Sequence, residues 1–340
     1  GLGEVLPRAK PRVERRHEPE APRDIALEAM PRPHAVVPVA VERVAGGADA
    51  LFSFLPADWQ THKCQTEIVV LFVLIVLNLR GVKESVIPIV PVFLLFLATH
   101  VIAIAAACFT HLGDIPAIVR ETGVDLHNSI GQLGFFGVAA LILHAYSLGG
   151  SSYTGIEAVS NGLPILREPR VETGKRTMMY MAVSLAVIAG GLIVSFLFFR
   201  VIPQEHKTLN AVLFEQVAQG WPGGRWFILA TLASEALILL VAAQTGFLDG
   251  PRVLANMALD GWMPTRFSLL SERLVTENGI LLMGGASLVL LWISRGSVAF
   301  LLVLYSINVF LTFSPSQLGM VKHWWTVRRK VADWKKRISI

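Results

Sequence analysis

Charge is what this sequence has least of. Only 16% of its 340 residues are Asp, Glu, Lys or Arg, where a soluble domain carries about 25%. Two cysteines, Cys64 and Cys108, are too few for a disulfide framework, and no His/Cys spacing of a metal site occurs. A phosphate-cradling glycine loop and a nucleophile triad are both missing, so enzyme activity is not expected. The first residues hold no apolar segment of the secretory-signal kind.

What fills the space is hydrophobic residues, 53% of the chain, with a mean hydropathy of +0.56. The formal net charge of +5 does not point to nucleic acid, because much of the excess falls at helix ends and in the tail. Several uncharged stretches exceed the roughly 18 residues that mark a membrane-spanning helix. Seven spans are expected: Ile68–Leu79, Val86–Phe109, roughly Gly134–Val159, Thr177–Phe199, Trp226–Leu248, Asn278–Ser294, and one within Gly296–Met320. The first has only 12 uncharged residues, about 18 Å of helix, so it must extend upstream. The fold class is therefore all-α and polytopic, with the lipid bilayer as its main partner.

Residues 1–45 differ from the rest. They hold seven of the 18 prolines and eight of the 30 basic residues, without apolar periodicity. That composition predicts disorder. Residues 323–340 end the chain in a tryptophan- and lysine-rich stretch, Trp324–Arg337, that suits an interface with anionic lipid. Between lie residues 46–322, the transmembrane domain. Sorting Lys and Arg by loop puts 16 on the side of the tail and six on the other. The positive-inside rule then makes the C-terminus cytoplasmic, and seven spans put the segment before Ile68 outside.

The third span carries the most informative stretch, Ser147–Gly155, SLGGSSYTG. It lies in a run without Asp, Glu, Lys or Arg from Leu126 to Ile156. Glycine costs a helix about 1 kcal/mol relative to alanine, so this end should break. Irregular backbone at membrane depth is tolerated only inside protein or beside a water-filled cavity, which makes a broken span a pointer to a transporter's substrate site. Gly150, Ser151, Ser152, Tyr153, Thr154 and Gly155 are the candidate binding residues. Neutral oxygens there suit a dehydrated potassium ion; backbone N–H groups at a half-helix end suit a carboxylate. Small residues also permit close helix packing. Glu157 in the same region and Glu235 in the fifth span are acids at membrane depth, hence candidates for proton coupling or for structural pairing. His100, His144, Ser306 and Asn308 are expected to hydrogen-bond between helices.

These residues look familiar. AYSLGGSSYTGIEAVSNG at Ala145–Gly162, LREPRVETGKRTM at Leu166–Met178, LNLRGVKES at Leu77–Ser85 and AAQTGFLDGPRVLANMALDGWMPTRF at Ala242–Phe267 resemble the amino acid–polyamine–organocation (APC) permease superfamily. The branch they resemble is the KimA-like potassium–proton symporters. The resemblance implies a LeuT-type fold of two inverted five-helix repeats, of which the seven spans are helices four to ten. It implies a secondary active transporter in the plasma membrane, carrying potassium with protons and no resident cofactor; an amino acid permease is the alternative. Members of the family also form homodimers.

The resemblance begins abruptly near Gly47–Pro56, where the family's third helix should precede. Residues 1–45 are therefore expected to be a disordered tail or an out-of-frame translation. A chain without helices one to three would be incomplete, so a transport-inactive membrane remnant is a third reading.

Overall fold

The computed structural model describes residues 33–81, 86–150, 159 and 166–328. Every regular element among these residues is helical. They are α1 (Pro33–Phe52), α2 (Lys63–Leu79), α3 (Val86–Thr110), α4 (Ile115–Leu148), α5 (Arg170–Phe198), α6 (Leu209–Val217), α7 (Gly224–Leu259), α8 (Glu277–Ser294) and α9 (Val298–Val327). Seven helical segments are long and apolar enough to cross a membrane. They fall on the seven expected spans, with shifted ends. A 3₁₀ turn at Ala57–His62 leads into α2, supplying the upstream length that its apolar run lacks.

The chain forms two compact units. One comprises residues 31–312; residues 313–340 belong to the other. Within the latter, the Arg328 guanidinium lies 3.5 Å from the centroid of the Trp325 ring.

In the larger unit one core joins α1, α2, α7, α8 and α9. It contains Val41, Val44, Leu71, Leu74, Phe247, Ile280, Leu291 and Leu301. A second core joins α3, α6 and α7 through Ala103, Ala107, Leu213, Phe214 and Leu232. Lipid tails are as apolar as leucine, so close approach of small residues must help hold such helices. At Gly284 of α8 an added Cβ would come within 2.7 Å of the Ile75 side chain on α2. At Gly191 of α5 it would come within 2.7 Å of Ile104 on α3. The helices meet where there is no side chain.

Helix α1 corrects the expectation of disorder through residue 45. The helix starts at Pro33, and Ala40, Val41, Val44 and Ala45 are core residues. Their i, i+1, i+4, i+5 spacing makes one apolar stripe. Prolines and Arg43 pull the average composition of residues 1–45 toward disorder and mask that stripe. Residues 1–32 lie outside the described residues. Val37 packs against the Leu254–Met283 pair, while an added Cβ at Gly47 would sit 3.2 Å from the Ala236 carbonyl oxygen. Thus α1 runs antiparallel along α7. Its 20 residues are about 30 Å long, the thickness of a bilayer core.

Helix α4 also departs from expectation. It is two pieces joined at Gly134, whose φ of 71° and ψ of 166° are not helical. The piece before it carries Arg120, Glu121 and Asp125; the piece after it is apolar and ends at Leu148. The continuous helix ends at Leu148, where the glycines of the expected break begin, and residues 151–158 lie outside the described residues.

Candidate functional site: polar groups within the helical bundle

The end of α4 comes where the glycines begin. Gly149 caps the helix, and Gly150 is buried. A Cβ on Gly150 would lie 3.2 Å from the Phe310 ring of α9, with Val309 next to it. Ser151, Ser152, Tyr153, Thr154, Gly155 and Glu157 lie outside the described residues.

Glu235 sits in the first half of α7, facing α6. The Asn210 side-chain amide donates to its Oε1 at 2.9 Å. Its Oε2 is buried without a hydrogen-bond partner among the described residues. The carboxyl thus has one neutral partner from a neighbouring helix and one free oxygen. Such a group can act as a structural acceptor and still exchange a proton; the arrangement serves both readings.

The other polar residues behave differently from expectation. Ser306 donates to the Leu302 carbonyl at 2.8 Å and Asn308 to the Leu304 carbonyl at 2.9 Å. His100 Nδ1 lies 2.8 Å from the Phe96 carbonyl oxygen. These are bonds within one helix, the local option that short polar side chains have on an accessible i−4 carbonyl. The His100 ring does reach another helix, edge-on to Phe214 at 5.2 Å between centroids. His144 is exposed.

Two polar groupings were not singled out in the sequence. Asn78 of α2 and Gln244 of α7, both buried, exchange amide hydrogen bonds of 2.9 and 3.2 Å. Asp49, Lys63 and Glu67 form a charged cluster where α1 and α2 meet, with Glu67 fully buried. The signal for this cluster was the i, i+4 pair Lys63–Glu67 at the edge of the shortest span. Its partner Asp49 lies in a helix that composition hid.

A sequence model of the amino acid permease family matches residues 34–340. The chain belongs to that family, within the APC superfamily. The "Potassium transporter KimA" of Bacillus subtilis (strain 168) is 32% identical to it over 307 residues, 90% of this chain. The chain spans about half of that curated relative, 48% of its length. The match starts inside α1, so residues 34–45 read in the family's frame, which overturns the out-of-frame reading for that stretch. The all-α polytopic fold class and the APC assignment stand, and the permease is a multi-pass membrane protein. Its family and its curated relative are transporters, which agrees with the lack of enzyme motifs at that coarse level.

Proposed function

We propose that this permease takes up potassium across the plasma membrane, driven by protons. The observation that carries the reading is the 32% identity to a potassium transporter over 307 residues, 90% of this chain. Gly150, Ser151, Ser152, Tyr153, Thr154 and Gly155 supply neutral oxygens of the kind that replace a potassium ion's water shell. Glu157 and Glu235 are the carboxyl groups in which coupling protons would travel. No resident cofactor is needed, and the cytoplasmic C-terminus follows from the basic loops. The family description favours a second reading, an amino acid substrate held by its carboxylate at the same break.

The test is growth of a potassium-uptake-deficient bacterium on low potassium with the full-length protein supplied. Rescue supports the proposal. Amino acid uptake without potassium rescue moves the assignment to the second reading, and neither activity makes the chain a transport-inactive remnant. In a rescuing protein, Ser152→Ala and Thr154→Ala should each weaken apparent rubidium affinity about tenfold, the effect of about 1.4 kcal/mol in binding. Unchanged affinity in both would remove them from the site.

A further inference from the structure

The cluster at the junction of α1 and α2 has a composition of its own. Asp49 stands on the last turn of α1, Lys63 opens α2, and Glu67 follows one turn later. Gly296 closes the turn between α8 and α9 with φ 69°. The Lys63 ammonium pairs with Asp49 Oδ1, stands 3.7 Å from Glu67 Oε1 and donates to the Gly296 carbonyl at 3.5 Å. Three pieces of chain thus place three oxygens around one nitrogen.

Glu67 makes the arrangement more than a surface ion pair. Its side chain is 0% exposed, and neither carboxylate oxygen has a hydrogen-bond partner among the described residues. The carboxylate abuts the Gly296 backbone so closely that any Cβ at 296 would strike it. Among the described residues, the Lys63 ammonium is the cation paired with it. Lys63 and Asp49 themselves are 22% and 29% exposed, so water reaches the cluster from their side. Two carboxyl groups thus face one cation. Breaking such a set by removing the cation leaves buried charge without compensation.

We infer that the Asp49 and Glu67 carboxylates and the Gly296 carbonyl form a monovalent-cation site occupied by the chain's own Lys63 ammonium. Hard anionic and carbonyl oxygens are the donors that potassium and ammonium ions take. Tethering the cation to the chain holds α1, α2 and the α8–α9 turn together whatever the surrounding ion concentration. The inference is independent of which substrate the permease carries.

Removing the tether should turn the site into one for free ions. In detergent-solubilised Lys63→Ala, methylammonium or potassium should raise the melting temperature along a saturating curve, while choline at equal concentration does not. The saturating rise should exceed any that wild-type protein shows with the same salts, and Glu67→Gln in the Lys63→Ala background should abolish that excess. An identical response to choline and methylammonium overturns the inference. Should Lys63→Ala fail to fold, amine acetylation of Lys63 decides the matter in folded protein. The reaction should run at least fivefold faster in Glu67→Gln than in wild type, with exposed Lys175 as the internal reference. No acceleration overturns the inference too.

Discussion

A polar side chain inside a membrane is judged by who answers it. Among the described residues Glu235 is answered by Asn210, on one oxygen. A glutamine at 235 keeps an acceptor for that amide and removes only the exchangeable proton. Glu235→Gln should therefore fold with a melting temperature near wild type. If the proton passes through it, uptake driven by a pH gradient should fall tenfold or more while potassium-driven exchange persists. Equal gradient-driven rates in the two proteins would leave Glu235 as a structural acceptor. The Asn78–Gln244 pair is answered on both sides, and there the expectation is modest. Interhelical hydrogen bonds in membranes couple by about 0.6 kcal/mol on average and at most about 1.7, because the unfolded helices also find partners. A double-mutant cycle with alanine at 78 and 244 should return a coupling in that range. A value near zero would mean that the pair contributes shape alone.

At the scale of elements, contact between helices rests on missing side chains. The α2–α8 approach at Gly284 leaves no room for a Cβ unless Ile75 moves. Gly284→Ala should cost about 1–3 kcal/mol, the range for an overpacked core. Ile75→Ala in the same protein should recover part of the loss. Full additivity of the two substitutions, read as melting temperature, would show that they do not share the contact. The same scale shows how far the sequence can be read. The six spans outside the broken one were legible because each is an apolar run, uncharged but for Glu235 in the fifth, bounded by Arg, Lys, Glu or a turn. Helix α1 was not. Its apolar stripe is short, it carries Glu42, Arg43 and Asp49, and it packs against α2, α7 and α8. Hydropathy reports what faces lipid, so a helix sheltered by protein escapes it. Position in the candidate site was legible only in part. The glycines at 149 and 150 announced the end of α4, but the pairing of Asn78 with Gln244 joins residues 166 apart, which no local pattern encodes.

For the whole molecule, the contacts between loops sort the chain into two faces. Lys63 meets Gly296, and Arg200 donates to both Glu121 oxygens at 2.7 and 2.9 Å. The Thr208 backbone N–H donates to Ser53 Oγ at 2.9 Å. All of these lie in segments with six basic residues between them by the loop count. A Cβ at Gly81 would lie 3.3 Å from the Arg273 carbonyl oxygen and 3.3 Å from Val275, joining two loops of the basic face. Every one of these contacts respects the alternation that seven spans require. Helix α1 then adds a consequence. Its end at Asp49 and Ser53 sits on the face with Lys63 and Gly296, while Val37 packs against Leu254 and Met283 toward the other. Since α1 is about 30 Å long, its start belongs to the basic face, opposite to the side that counting from Ile68 assigns. Single cysteines placed after replacing Cys64 and Cys108 by serine test this in intact cells. Ser297→Cys should react with a membrane-impermeant thiol reagent from outside, whereas Arg273→Cys and His34→Cys should react only after the membrane is opened. Labelling of His34→Cys together with Ser297→Cys would mean that α1 does not cross. In that event its antiparallel packing on α7 would have to be built without a bilayer around it.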